Sequence, residues 1–215
     1  MKKFFRMLGL IILIGNIGFA EYTVKDGKVY WDDELVVKYV NGVFNQYNKF
    51  LPDVESFKIL KDGYARDKGT IYYDGETVKK QNGDNEVDIK TFEILNPYWY
   101  SKDRNRVYYD GEVINDIDVN SMEIIDREYI RDKNNVYHYD KRLEGRDAKT
   151  FEKINSYYTK DRNNVYYDDK KIENAVAGTF EIIDSYYAKD ENRIYYEGEV
   201  IKNADVNTFK IIKSH

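Results

Sequence analysis

The sequence of 215 residues contains no cysteine, only two prolines and only two histidines. Without cysteine there is no disulfide framework, no thiolate nucleophile and no thiolate zinc site. The residue that a lipoprotein signal carries at its cleavage point is also missing, so no covalent lipid anchor is written here. Triad-type acyl transfer needs a well-placed imidazole. Of the two histidines, His215 is the last residue given, and His138 stands where related segments carry tyrosine, so packing is its expected role. Neither a catalytic residue nor a metal site nor a cofactor is therefore expected.

Long apolar runs are missing too, except at the start. "MKKFFRMLGLIILIGNIGFA" has a basic opening (Lys2, Lys3, Arg6), an apolar stretch from Met7 to Ile14 and small residues at Gly18 and Ala20. That order reads as a secretory signal peptide over residues 1–20, cleaved after Ala20. The apolar stretch is short against the ~20 residues that span a hydrocarbon core. The expectation is an exported chain, periplasmic, envelope-associated or secreted, with no transmembrane segment after cleavage. The three cations of the leader leave with it, taking the formal charge from −5 to −8.

An acidic chain with mixed charges and no basic block is a poor partner for nucleic acid. Polarity alone would suggest disorder, but 22 Tyr and 10 Phe speak for a packed core.

What the chain does have is repetition. Basic-Asp pairs end at Asp26, Asp67, Asp103, Asp132, Asp161 and Asp190, and the last three intervals are each 29 residues. A Ser/Thr-Phe/Met marker ends at Phe57, Phe92, Met122, Phe151, Phe180 and Phe209, again with three closing intervals of 29. Six units fill residues 21–215, loosened by insertions at 36–47 and 79–87. The first insertion carries Asn41-Gly42 between apolar runs, a hairpin signal, and the second reads as a polar loop.

Within a unit, Asp-x-Asn (or Asp-x-Gly, at Gly69) predicts a three-residue hairpin loop with Asn105, Asn134, Asn163 or Asn192 in the left-handed region. The first unit has Asp26-Gly27, the two-residue type I′ signature, in a loop one residue shorter. A second tight turn follows at Asp74-Gly75, Asp110-Gly111, Asp168-Asp169 and Glu197-Gly198. This register sets Val107 against Ile114, with apolar equivalents in the other units. It also sets Tyr64, Tyr100, Tyr129, Tyr158 and Tyr187 across from Tyr72, Tyr108, Tyr137, Tyr166 and Tyr195. Asp-x-x-Ser/Thr then suggests a capped single turn of helix. The fold expected is all-β: a tandem array of six short antiparallel β-meanders with one short helical turn each. An open array is preferred over a small propeller-like ring, because 29 residues is short against about 40–45 for a propeller blade.

The segments "DKNNVYHYD" at Asp132 and "KDRNNVYYDD" at Lys160, with "TFE" between them, resemble the bacterial DKNYY family over most of the chain from Tyr22 to Ile212. His138 and Trp31, in place of the second Tyr, depart from the pattern, as does the shortened Asp26-Gly27 loop. The resemblance implies a repeat domain and assigns no catalytic residues.

A calcium loop of EF-hand type is not matched, because tyrosines follow Asp-x-Asn where a glycine and a bidentate Glu belong. The acidic residues repeat in turn positions, which leaves no irregular carboxylate pair for a glycosidase. The leading expectation is an exported, non-enzymatic binding or interaction module of the envelope, its partner an unidentified protein or glycan. A purely structural envelope component comes second and a carboxylate-dependent hydrolase third. The candidate ligand-binding residues are the stacked tyrosines Tyr72, Tyr108, Tyr137, Tyr166 and Tyr195. They serve as a sugar or peptide platform if exposed and as core if buried.

Overall fold

The computed structural model describes residues 21–41, 47–78, 87–95 and 99–212. The leader 1–20, Gly42 of the expected Asn41-Gly42 hairpin, nearly all of the 79–87 insertion and His215 lie outside these residues. The chain divides into two compact bodies, Met1–Val119 and Asn120–His215. No helix among the described residues is long and apolar enough to cross a membrane.

The architecture is all-β, and each repeat is its own antiparallel meander. The third repeat shows the pattern: Glu93–Leu95, Tyr100–Lys102, Val107–Tyr109 and Glu112–Val113 pair in sequence order. The same four-stranded order recurs in repeats two, four, five and six. The first repeat has three strands, Tyr22–Lys25, Lys28–Trp31 and Glu34–Leu35. The first insertion forms its own hairpin, Lys38–Asn41 against Tyr47–Phe50. The sheets stand separately in tandem, with no closed barrel among the described residues.

Backbone geometry explains the tight second turn in repeats three, five and six. Asp110 (φ 52°) and Gly111 (φ 75°), Glu197 (φ 48°) and Gly198 (φ 78°), and Asp168 (φ 47°) and Asp169 (φ 61°) all take left-handed backbone. Two successive positive φ values are the type I′ geometry that follows the twist of the strands. The turn lays Ile114 onto Val107, whose carbonyl accepts the Ile114 amide at 2.9 Å. Both side chains are buried, worth about 1.5–3 kcal/mol each. Val136 and Leu143 pair in the same register.

The first turn departs from expectation. None of Gly69, Asn105, Asn134, Asn163 and Asn192 has positive φ. The loop spans four residues, because Lys102 pairs with Val107 and Lys160 with Val165. A loop longer by one residue shifts every pairing beyond it. Tyr100 therefore faces Tyr109, and Ser101 faces Tyr108; likewise Tyr158 faces Tyr167, and Thr159 faces Tyr166.

The first repeat is also reread. Its loop is Asp26-Gly27, type I′ as expected (φ 49° and 70°). Yet Tyr22 pairs with Trp31 as Tyr100 pairs with Tyr109, so nothing is deleted. Lys25, not Asp26, occupies the place of Asp103.

The capped single turn is present as i→i+3 hydrogen bonds in the linkers, such as Thr91 N to Asp88 O at 3.1 Å and Thr150 N to Asp147 O at 3.1 Å. Among the described residues only Ala177–Thr179 is a 3₁₀ helix. There the Asp is replaced by Val176, which makes no side-chain cap.

Candidate functional site

Among the described residues five aspartates are almost fully buried: Asp67, Asp103, Asp132, Asp161 and Asp190. A buried carboxylate is tolerable only when its lone pairs are taken by donors. Asp190 shows how this is done. Its Oδ1 accepts the amides of Asn192 and Arg193, each at 2.8 Å. Its Oδ2 accepts the Tyr195 hydroxyl at 2.7 Å and the Val176 amide at 2.9 Å. Asp103 repeats the set with Asn105, Arg106, Tyr108 and the amide of Asp88, at 2.7–2.9 Å. Asp67 and Asp161 do the same with Tyr72 and Tyr166 and with the amides of Asp53 and Asp147.

One carboxylate thus closes its own loop, fixes its tyrosine and clamps the linker that precedes its sheet. Its Oδ1 stands where a backbone carbonyl closes an ordinary two-residue hairpin, so no left-handed Asn is needed. Next to it, the linker hydroxyl accepts the following loop amide: Thr91 from Arg104 at 3.1 Å and Thr150 from Arg162 at 3.0 Å. Burial raises the pKa of the Asp190 carboxyl, but the Tyr195 hydroxyl and three amides outweigh it and hold the acid below its ordinary range. A carboxylate with four donors on it has no remaining lone pair for a proton or a cation. Among the described residues no group of three or more His, Cys, Asp or Glu side chains could hold a metal ion.

The predicted platform is in the core. Tyr72, Tyr108, Tyr137, Tyr166 and Tyr195 are each at most 2% exposed. Their hydroxyls meet the aspartates rather than solvent; the Tyr137 contact to Asp132 is the longest, at 3.4 Å. Desolvation, followed by the neighbouring carboxylate, pushes Tyr166 and Tyr195 up to about 12. These rings are buried, so no ring face is presented for stacking.

The other tyrosine column joins successive repeats. Tyr22 Oη accepts the Gly75 amide at 2.8 Å, and Tyr158 Oη accepts the Gly198 amide at 3.2 Å. The glycine is required by more than φ. A Cβ on Gly75 would lie 2.6 Å from Trp31, one on Gly111 2.9 Å from Tyr73, and one on Gly198 2.6 Å from Tyr167.

The junction between repeats four and five is built otherwise. Where His138 replaces the aromatic ring, Asp169 replaces the glycine of the next turn. The Asp169 carboxylate bonds His138 Nδ1 through Oδ2 and the Tyr129 hydroxyl through Oδ1, the latter at 3.3 Å. The imidazole stacks on Tyr129 at 4.5 Å and 10°. Arg146 donates to the Asp169 carbonyl at 2.5 Å and lies 3.5 Å above the Tyr166 ring. Burial raises the Asp169 pKa, and the hydrogen bond and charge of His138 bring it below the usual carboxylate range. Histidine 138 is therefore more than a packed tyrosine substitute.

A different aromatic position does face solvent. The residue just before each second-strand tyrosine is Trp99 (51% exposed), Tyr157 (36%) and Tyr186 (39%) in repeats three, five and six. Tyr157 and Tyr186 lie 4.9 Å apart, centroid to centroid, and share a 3.2 Å hydroxyl contact. Tyr167 stacks behind Tyr157 at 6.0 Å. This position shows aromatics in only half of the repeats, which hides it from a search for invariant repeat residues; the signal was a Trp and two Tyr at one repeat position.

Fold and site together define a tandem array of β-meanders, pinned in repeats two to six by a buried Asp–Tyr pair. The chain belongs to the DKNYY family, whose model matches residues 10–112, 79–141, 129–178 and 170–215. No curated protein and no solved structure matches it.

Proposed function

We propose that the chain is exported and acts outside the cytoplasm as a non-enzymatic binding module, using the exposed aromatic positions rather than the buried ladder. The observation that carries this reading is the paired, solvent-facing Tyr157 and Tyr186, with Trp99 at the equivalent place in repeat three. Exposed rings with nearby hydroxyls and carboxylates suit the apolar faces of sugar rings or extended peptides. The four-donor use of each buried aspartate supports the non-enzymatic part. The leader sequence supports export.

A glycan and envelope-fraction binding screen with the purified chain tests this, run beside Tyr157→Ala/Tyr186→Ala. Binding by the parent with at least tenfold loss in the double variant, at unchanged melting temperature, is expected. Burial of the Tyr72–Tyr195 ladder favours the second reading, a structural envelope component without a ligand. No binding by the parent chain to any fraction would establish that alternative.

A further inference from the structure

The exposed rings are joined to acids. In repeats three, five and six the residue that carries the exposed ring accepts, on its carbonyl, the amide of an acid in the second turn. Trp99 accepts from Asp110 at 3.0 Å, Tyr157 from Asp168 at 2.9 Å and Tyr186 from Glu197 at 2.9 Å. In repeat four the two members change places, and Glu128 accepts the Tyr139 amide at 2.6 Å. One aromatic and one acid thus sit side by side in each of repeats three to six. The turn alone does not ask for a carboxylate. Asp tolerates left-handed backbone, but Glu does not share that preference, and Glu197 keeps the carboxylate at φ 48°.

Repeat four shows what such a doublet holds. The Lys153 ammonium bonds Asp126 Oδ2 at 2.7 Å and also Glu128. It lies 5.4 Å from the centre of the Tyr129 ring. Here the chain supplies its own cation. One repeat later, Ile182 stands in the place of Lys153. Among the described residues Asp168 and Glu197 make no ion pair, and no Lys or Arg lies over Tyr157, Tyr167 or Tyr186. Both acids are exposed. Tyr157 is 36% exposed with a repeat on either side of it. The rings also stand in a negative field. Burial, then the charges of Glu197 and Asp168, raises the Tyr167 pKa. The hydrogen bond to Tyr157 raises that of Tyr186, and the charge of Glu197 adds to it.

We propose that Tyr157, Tyr167 and Tyr186, with Asp168 and Glu197, form a docking surface for a basic segment of another polypeptide, one that presents lysine or arginine side chains. This rests on the reading of the exposed rings as a binding surface and names the chemistry of the partner. A ring face attracts an ammonium or guanidinium group through its quadrupole, and the carboxylate beside it matches the charge. A long apolar stem with a charged tip fits this arrangement. Its methylenes lie along the ring while the tip reaches the acid at the side. An ammonium fixed directly on a sugar ring has no stem to span that step. Two doublets in successive repeats, with Tyr157 and Tyr186 4.9 Å apart, engage two such side chains of one segment. The acidic character of the chain steers a basic partner toward it.

Calorimetric titration of the purified chain tests this, with oligolysine, a neutral chitooligosaccharide and its deacetylated form as probes. Oligolysine is expected to bind, more weakly as salt rises, since exposed charges are screened over ~8 Å at physiological ionic strength. Asp168→Asn/Glu197→Gln keeps the rings and is expected to lose about tenfold in affinity. Tyr157→Ala/Tyr186→Ala should lose about as much. Glu34→Gln/Glu55→Gln, which removes the same charge from exposed sites in the other body, should lose nothing. Asp168→Asn alone, at home in left-handed backbone, carries the test if the double variant does not fold. Undiminished oligolysine binding by Asp168→Asn/Glu197→Gln overturns the proposal, as does an equal loss in Glu34→Gln/Glu55→Gln. Tighter binding of the deacetylated sugar than of oligolysine overturns the assignment to a peptide. Ring-dependent binding of the neutral sugar alone overturns the proposal and leaves the binding module standing, whereas no ring-dependent binding of any probe or envelope fraction removes both.

Discussion

Between repeats five and six, Tyr167 lies under Gly198, with no room for a Cβ. Between repeats four and five, His138 lies under Asp169, and the added side chain fills the space with a hydrogen bond. In both cases a left-handed turn rests on a ring, and a hydroxyl of the lower repeat (Tyr158 or Tyr129) reaches into that turn. At Gly198 the phenol below leaves no room for a side chain, whereas at Asp169 the smaller imidazole leaves space and offers a donor. Two substitutions that each break the repeat pattern are thus a single compensated change.

The largest expected effect strikes what the two junctions share. Asp190→Ala removes the acceptor of three amides and one phenol, and is expected to cost about 3–5 kcal/mol, read by urea denaturation. Asp161→Ala, in the sheet of the other junction, should cost a similar amount. Next, Gly198→Asp is expected to cost about 2–4 kcal/mol through overlap with Tyr167. Adding Tyr167→His should recover at least half of that in a double-mutant cycle. No recovery would break the comparison.

A smaller loss, about 1–2 kcal/mol, is expected for Asp169→Ala, which strips His138 and Tyr129 of their acceptor. Its pH dependence has a definite sign. The Asp169 pKa is lowered on folding, so its stabilisation is present above the unfolded value, about 3.9, and lost as pH falls through the folded one. The penalty of Asp169→Ala should therefore shrink below about pH 4, as followed by thermal melts. The smallest effect should come from His138→Tyr/Asp169→Gly, which rebuilds the commoner junction and should shift stability by less than about 1 kcal/mol.

The alkaline limb reports the tyrosines. Tyr166 and Tyr195 are raised to about 12. A neutral buried phenol stabilises the fold below its unfolded pKa, and that contribution disappears as pH rises through the folded value. Tyrosinate absorbance should therefore rise in two phases, with the second, near pH 12, coinciding with unfolding.

Much of the fold was legible in the residues. The period of 29 residues, the type I′ turns at Asp110-Gly111 and Asp26-Gly27, and the Val107–Ile114 pair all follow from local chemistry. The loop parity was not legible, because a side-chain oxygen of Asp103 does the work of a backbone carbonyl, and spacing alone does not distinguish them. That one-residue error moved Tyr100 from Tyr108 to Tyr109. The exposure of the ladder was equally hidden, since Tyr108 is buried by the linker ring Phe92, 6.1 Å away, from an adjoining segment. The Asp169–His138 exchange was visible as two separate irregularities and became one feature only when the repeats were stacked.

That exchange has a consequence for inheritance. His138 and Asp169 are 31 positions apart, slightly more than the repeat length of 29. A recombination that gains or loses one repeat cannot carry both residues on the same block. Losing the block with Asp169 would set a glycine turn over an imidazole and leave a void. Copying that block would set an aspartate over a tyrosine. Changes in copy number are thus discouraged around the fourth and fifth repeats, and tolerated better where ring and glycine recur unchanged.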